Sequence, residues 1–313
     1  MTGIERETGN AGRFRIGIDL GGTKIAATAI TSDGSILPEH RRPAPNSDYA
    51  ATISALAEAA ATMARHATPA TEITVGIGMP GSLSRKTGLV QNSNSTWLNG
   101  RNLAEDARAA IPYPVRFAND ANCMALSEAE DGAGAGMGSV FGVILGTGCG
   151  GALVLAGQLV EGHRRIAGEW GHNPLPWADS SELPGPRCWC GQSGCIETWI
   201  SGTGLAADHL RMTGIAMTGE EIVAAAAAGD AGARASRRRH ASRLARALAH
   251  VVNIFDPQVI VIGGGLSRVA DLYVEVPALM APYVFSRDNE IDIRPAKWGD
   301  ASGVRGAARL WPG

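Results

Sequence analysis

The sequence lacks a strong excess of charge of either sign. Its 28 Lys and Arg residues almost balance its 30 Asp and Glu residues, which gives a formal net charge of -2 at pH 7. Proteins that bind nucleic acid or anionic membranes through long-range electrostatics carry a basic excess. We therefore expect neither a nucleic acid nor a membrane surface as a partner.

Long apolar runs are also missing. No stretch approaches the roughly 20 apolar residues that cross a bilayer, and the first residues are polar and of mixed charge, unlike a secretory leader. These features predict a cytoplasmic protein. With 313 residues, the chain is long enough for two domains with a core each.

Cysteine is scarce and unevenly placed. Three of the five cysteines, Cys188, Cys190 and Cys195, lie close together in what we call the cysteine loop (residues 188–195). The odd total and a reducing compartment argue against disulfides, which leaves buried thiols or a metal site. With His172 upstream, the spacing predicts a structural Zn²⁺ site of the Cys3His type, which has no open position for catalysis.

Two glutamates lie beside these candidate ligands. Glu169 precedes His172 by three positions, and Glu197 follows Cys195 by two. Zinc needs neither carboxylate, so we expect them to form a rigid cup for sugar hydroxyls. The alternative is that both are ordinary surface carboxylates.

Glycine-rich turns follow apolar strands at three places. The first glycine turn contains Asp19, Gly21, Gly22, Thr23 and Lys24; the second contains Gly146, Thr147 and Gly148; the third contains Gly263, Gly264 and Gly265. The first two turns lead into another strand, whereas a dinucleotide fingerprint leads into a helix. Their main-chain N–H groups, hydroxyl and cation can bind phosphate. The repetition predicts a duplicated α/β fold in which both hairpin turns face one ATP-binding cleft.

Other segments predict strands and helices around these turns. Residues 47–66 and 231–255 have helical periodicity, and the basic residues of the second helix, including Arg243, are expected on a solvated face. Asn94 lies in an amide-rich segment (residues 90–100) that could recognise hydroxyls. Asp120 lies where a strand ends and a helix begins; position alone favours a helix N-cap, although ligands also bind at such edges.

Taken in order, these motifs resemble the ROK family, named for repressors, open reading frames and sugar kinases. The resemblance runs from Ile16 onward through the first glycine turn, Asn119-Asp120, the second turn, Gly168-Glu169-Trp170-Gly171-His172, the cysteine loop and the third turn. It implies a two-domain actin-like, ribonuclease-H-like α/β ATPase fold with a small zinc-binding loop. Residues 1–118, rejoined by a C-terminal helix at 302–313, would form the smaller domain, and residues 119–301 the larger one.

The resemblance also implies an activity. ROK sugar kinases transfer the γ-phosphoryl group of Mg-ATP to the terminal hydroxymethyl group of a hexose, which would make Asp120 the general base. The implied sugar contacts are Gly81, Asn94, Asn119, Asp120, Glu169, His172 and Glu197, with His172 shared between sugar and zinc. The three glycine turns would bind ATP, and a homodimer is expected.

Local motifs indicate the acceptor. Gly81-Ser82, residues 94–100 and residues 168–177 are most similar to bacterial fructokinases of the manno(fructo)kinase type, so we expect fructose, then mannose or glucose. N-acetylglucosamine kinases share much of this pattern and are the alternative. A ROK repressor needs a helix-turn-helix domain, for which only about a dozen residues precede the first strand. A non-catalytic actin-like ATP-binding protein would lack the cysteine loop and Asn119-Asp120.

Overall fold

The computed structural model describes residues 12–69, 71–288 and 290–312. The strands in these ranges are β1 (Arg13–Leu20), β2 (Lys24–Ile30), β3 (His40–Pro43), β4 (Glu72–Met79), β5 (Ser82–Leu83), β6 (Val90–Gln91), β7 (Val115–Asn119), β8 (Ser139–Leu145), β9 (Cys149–Leu155), β10 (Gln158–Leu159), β11 (Val259–Gly263) and β12 (Ile293–Pro295). The α-helices are α1 (Tyr49–Ala64), α2 (Leu103–Ala110), α3 (Asp120–Asp131), α4 (Glu197–Ile200), α5 (Gly202–Thr213), α6 (Gly219–Ala227), α7 (Ala231–Phe255), α8 (Leu272–Met280) and α9 (Ser302–Ala308). None of the described helices is both long and apolar enough to cross a membrane.

The chain divides into two compact units. The first contains the described residues of 12–123 and 303–312, and the second is Met124–Ser302. The division that the sequence placed after residue 118 falls instead after Cys123, inside α3. The first eleven residues of the expected smaller domain lie outside the described residues.

Each unit contains one five-stranded sheet, and the two sheets share one topology. The strand orders are β3-β2-β1-β4-β7 and β10-β9-β8-β11-β12. In both sheets the first three strands along the chain are antiparallel neighbours, and two parallel strands follow on the other side. This order is the ribonuclease-H-like plan, and its repetition agrees with the duplication expected from the two hairpins.

Helix α9 packs against the first sheet because two strands carry glycine at the contact. A Cβ atom at Gly17 of β1 would lie 2.1 Å from the carbonyl oxygen of Val304, and one at Gly76 of β4 would lie 1.8 Å from that of Ala307. Larger side chains at these two positions would push the helix off the sheet. The last helix therefore belongs to the first unit, in agreement with the C-terminal helix expected to rejoin the smaller domain.

The sequence of residues 197–210 predicts one helix, but the structure divides this segment into α4 and α5. Ser201 adopts an extended conformation and ends α4, and its hydroxyl accepts a hydrogen bond from the main-chain N–H of Gly204 at 3.0 Å. This is N-cap geometry, so Ser201 starts α5 as a separate helix. The sequence also predicts a last strand over residues 290–295, and the structure has a shorter one, since β12 begins at Ile293.

The arginines of α7 do not form one solvated face. Arg238 is exposed, but Arg243 is buried, and so is Arg246 in the next turn. Their guanidinium groups pair with the buried carboxylates of Glu182 and Asp208. The sequence prediction was therefore wrong for Arg243, because buried carboxylates neutralise a charge that the helix periodicity alone assigns to solvent.

Candidate active site

Asn119 and Asp120 lie together where β7 ends and α3 begins. The side-chain oxygen of Asn119 accepts a hydrogen bond from the main-chain N–H of Ala121 at 2.8 Å, and a carboxylate oxygen of Asp120 accepts from the same N–H at 2.8 Å. The Asn119 amide nitrogen donates to the carbonyl oxygen of Gly81 at 3.1 Å. Three predicted sugar contacts of the first unit therefore lie at neighbouring strand ends.

Gly81 fits this position for a steric reason. Its φ is +76°, and a Cβ atom there would lie 2.5 Å from the carbonyl oxygen of Gln91. Only glycine can adopt this backbone conformation so close to another main chain. Asn94, the fourth predicted sugar contact of this unit, is exposed in the amide-rich segment.

Burial changes the acidity of two carboxyl groups in the first unit. Burial raises the pKa of Asp120, and the hydrogen bonds from Ala121 and Asn119 offset only part of that effect. Burial and then the charge of Asp120 raise the pKa of Asp19 to about 7. A carboxylate with a raised pKa accepts a proton more readily, which suits a general base.

The first glycine turn closes the β1–β2 hairpin. The N–H of Gly21 donates to the carbonyl oxygen of Lys24 at 3.0 Å, and Gly22 and Thr23 are exposed. The hydroxyl oxygen of Ser95 lies 3.8 Å from the point that a Cβ atom of Gly22 would occupy. The amide-rich segment therefore lies beside this turn within the first unit.

The second and third glycine turns lie side by side in the second unit. They follow β8 and β11, which are parallel neighbours in the sheet. A Cβ atom at Gly264 would lie 2.5 Å from the carbonyl oxygen of Leu145, so glycine permits this approach. The N–H of Gly202 donates to the carbonyl oxygen of Gly146 at 2.7 Å, and the Thr203 hydroxyl donates to that of Thr147 at 2.7 Å. The start of α5 thus supports the second turn.

Four potential zinc ligands converge in the second unit. Ligand atoms of His172, Cys188, Cys190 and Cys195 all lie within 4.8 Å of one another. The Cys188 sulfur lies 3.6 Å from Nδ1 of His172, and the Cys190 and Cys195 sulfurs are 3.6 Å apart. Tetrahedral Zn²⁺ with its usual bond lengths would space such atoms about 3.6–3.8 Å apart. The donor set and its spacing therefore fit zinc.

Main-chain pairing brings His172 to the cysteine loop. The segment after His172 runs antiparallel to the end of the loop, with an isolated bridge between Pro174 and Cys195. Gly191 and Gly194 have φ values of +95° and +73°, which glycine adopts without strain. These two reversals let the loop fold back as its sequence predicts.

Glu197 connects the cysteine loop with the second glycine turn. Its Oε2 accepts a hydrogen bond from the main-chain N–H of Cys149 at 2.9 Å, and its Oε1 accepts one from the indole of Trp189 at 2.7 Å. A Cβ atom at Gly148 would lie 2.8 Å from Oε2. Burial, and then the carboxylates of Glu197 and Glu169, raise the pKa of the Cys149 thiol. Glu169 and Glu197 are therefore both near Cys149.

Sequence reasoning missed three residues of this region. Trp189 and the pair Gly202-Thr203 contact predicted site residues, yet none was expected to do so. The position of Trp189 between two cysteine ligands was an available signal. For Gly202 and Thr203, the available signal was a glycine–threonine pair after an apolar segment, the same pattern as in the first two glycine turns.

Comparison with known proteins decides the family. The ROK family model matches residues 15–313. The chain belongs to the ROK family. This ROK protein is 38% identical over 299 residues to the N-acetyl-D-glucosamine kinase of Salmonella paratyphi C (strain RKS4594). The aligned residues cover 94% of this chain and 98% of that kinase.

Solved structures confirm the fold of this ROK protein. The ROK hexokinase of Thermus thermophilus is 32% identical with a TM-score of 0.82, over 94% of this chain and 96% of that one. A ROK family glucokinase from Streptomyces griseus, solved with glucose and AMPPNP, is 29% identical with a TM-score of 0.74, over 95% and 98% of the two chains. The expected actin-like, ribonuclease-H-like fold is therefore confirmed.

Proposed function

We propose that this ROK-family sugar kinase transfers the γ-phosphoryl group of ATP to the 6-hydroxyl of a hexose, with Asp120 as the general base. The observation that carries the proposal is the position of Asp120 at the end of β7, beside Asn119 and Gly81 and with a raised pKa. The carboxylate would take the proton of the sugar hydroxyl as that oxygen attacks phosphorus. The bond to the β–γ bridging oxygen breaks as the new P–O bond forms, and ADP leaves.

The sugar is proposed to bind through a set of residues that the family motifs imply. These are Gly81, Asn94, Asn119, Asp120, Glu169, His172 and Glu197. His172 directs Nδ1 toward the sulfur of Cys188, which leaves Nε2 for a sugar hydroxyl. Fixed carboxylate and imidazole acceptors of this kind orient a polyol without moving on binding.

The nucleotide is proposed to bind at the three glycine turns. Asp19, Gly21, Gly22, Thr23 and Lys24 of the first turn would contribute main-chain N–H groups and one ammonium group to phosphate binding. The other residues proposed for the nucleotide are those of the second and third turns, Gly146, Thr147, Gly148, Gly263, Gly264 and Gly265. Mg²⁺, when bound with ATP, supplies the positive charge that neutralises the transferred phosphoryl group.

Zinc is proposed as a structural ion held by His172, Cys188, Cys190 and Cys195. These four ligands complete a tetrahedral shell, so the metal would take no part in phosphoryl transfer. It would fix the cysteine loop, and with it the carboxylate of Glu197 and the ring of His172. Thiolate ligands persist in reducing conditions, which is consistent with the proposed cytoplasmic location.

We propose N-acetyl-D-glucosamine as the first acceptor to test, and fructose as the second. The support for the first is the 38% identity, over 94% of this chain, to an N-acetyl-D-glucosamine kinase. The support for fructose is the similarity of residues 94–100 and 168–177 to fructokinase motifs. Mannose and glucose complete the panel.

A coupled assay of ADP release across these four sugars tests the proposal. We expect the highest kcat/KM with N-acetyl-D-glucosamine, and phosphorus-coupled C6 protons in the NMR spectrum of the product. A higher kcat/KM with fructose would reverse the order of the two acceptors. No sugar-dependent ADP release with any of the four would overturn the kinase proposal.

The homodimer is also kept as a proposal. Sedimentation equilibrium across a range of protein concentrations measures it directly, with twice the chain mass of 32.4 kDa as the expected result. A single species at the mass of one chain over the whole range would contradict it.

A further inference from the structure

An exposed tryptophan in the cysteine loop contacts two of the proposed sugar ligands. Trp189 lies between Cys188 and Cys190 and is 59% exposed. Its indole N–H donates to Oε1 of Glu197 at 2.7 Å. Its ring meets the imidazole of His172 edge-on, with 4.9 Å between centroids and an interplanar angle of 89°. One side chain therefore touches both groups.

The backbone around Trp189 is held on both sides. The N–H of Cys188 donates to the carbonyl oxygen of Gln192 at 2.8 Å, and the N–H of Gly191 donates to that of Cys188 at 3.0 Å. These bonds form a tight turn with Trp189 inside it. The indole is therefore presented from a fixed backbone, although most of its surface faces solvent.

The hydrogen bonds to Glu197 leave room for a ligand. A carboxylate has about four acceptor positions, and Cys149 and Trp189 use one on each oxygen. The remaining positions can accept sugar hydroxyls. The indole of Trp189 has one hydrogen-bond donor and no acceptor atom. It can therefore restrain the carboxylate of Glu197, but it cannot accept a hydrogen bond from a sugar hydroxyl in its place.

We propose that Trp189 is a positioning residue for the sugar. Its N–H holds the Glu197 carboxylate, and its ring restricts the His172 imidazole, in orientations that accept the hydroxyls of the hexose. The proposal rests on the proposed function, since it assumes that Glu197 and His172 bind the sugar. It extends that function by adding a residue that affects sugar affinity through its contacts with Glu197 and His172.

Trp189→Phe isolates the hydrogen bond, because phenylalanine keeps an aromatic ring and lacks the N–H. Trp177→Phe is the matched control: Trp177 is 49% exposed on the segment between His172 and the cysteine loop, and its ring contacts Tyr283 and His250 instead. For both variants and the parent, the steady-state constants, the sugar Kd by calorimetry with N-acetyl-D-glucosamine or fructose, and the zinc content are measured. The sugar used is the better substrate of the parent.

We expect Trp189→Phe to raise the sugar KM and Kd together by roughly five- to tenfold, since a hydrogen bond to a charged acceptor is lost. We expect kcat within about twofold of the parent, and an unchanged ATP KM and zinc content, because the general base and the metal ligands remain. Trp177→Phe should match the parent throughout.

Three results would overturn the positioning role. These are a sugar Kd of Trp189→Phe equal to that of the parent, an equal rise in Trp177→Phe, and a loss of zinc in Trp189→Phe that accounts for the change. A parent that phosphorylates none of the sugars is a different outcome, because it refutes the proposed function before the variants are compared.

Discussion

The guanidinium of Arg243 donates to the carboxylate of Glu182 at 2.8 Å, and each residue is only 5% exposed. The same guanidinium pairs with Asp208 at 2.9 Å and lies 4.3 Å from the ring centroid of Trp199. Burial alone would raise the pKa of Glu182, but hydrogen bonds from Arg246 and Arg243 outweigh it and lower the pKa to about 2. Within the second unit, one arginine of α7 thus joins the segment before the cysteine loop to α4 and α5.

Arg243→Gln should destabilise the second unit strongly. The substitution leaves the carboxylates of Glu182 and Asp208 buried with less compensating charge, which costs about 3–5 kcal/mol in comparable buried pairs. Urea unfolding followed by circular dichroism measures the loss. Arg238→Gln, an exposed arginine of the same helix, should stay within about 0.5 kcal/mol of the parent. Equal stability of the two variants would show that the buried pairing contributes nothing.

Stability should fall as the pH is lowered from 6.5 to 4, partly because of His240. Burial lowers the pKa of this histidine from 6.5 to about 4, and its Nε2 lies 2.8 Å from the carbonyl oxygen of Ile200. Between these pH values the unfolded chain binds a proton that the folded chain does not, so acid favours unfolding by up to about 3 kcal/mol. Below pH 4 both states bind the proton and the loss ends.

His240→Gln should flatten this part of the pH dependence. Urea unfolding at several pH values between 4 and 7 gives the free energy of unfolding for the parent and the variant. The expected result is a difference between the two that shrinks as the pH falls. Parallel curves across the whole range would exclude His240 as a source of the acid sensitivity.

Cys190→Ser should lower both the zinc content and the melting temperature, because serine replaces a thiolate ligand with a much weaker one. Metal analysis of the purified protein and thermal unfolding measure the two effects. Cys123→Ala removes a buried thiol of the first unit and should keep the zinc content of the parent. Full zinc retention in Cys190→Ser would contradict the proposed ligand set.

Features set by short-range patterns could be predicted from the sequence. The β1–β2 and β8–β9 hairpins and the bounds of α7 at Ala231 and Phe255 follow from periodicity, glycine placement and a terminating Asp-Pro pair. The convergence of His172 with the cysteine loop could also be predicted, because histidine and closely spaced cysteines are typical zinc ligands and must meet to bind one ion.

Features set by long-range contacts could not be predicted. Arg243 is buried because Glu182, 61 residues away in the chain, supplies a carboxylate, and periodicity cannot reveal such a partner. The hydrogen bond between Trp189 and Glu197 depends on the exact path of the cysteine loop. The break at Ser201 needed the cap geometry, since an apolar segment that crosses a serine also fits one continuous helix.

The central claim is that Asp120 removes the proton from the attacking sugar hydroxyl, and Asp120→Asn tests it most directly. Single-turnover and steady-state kinetics with Mg-ATP give turnover, and calorimetry gives the sugar Kd; Glu130→Gln, an exposed carboxylate change on α3, is the control. We predict that Asp120→Asn lowers turnover by at least ~100-fold while the sugar Kd stays within about threefold of the parent. Turnover within a few-fold of the parent would contradict the account.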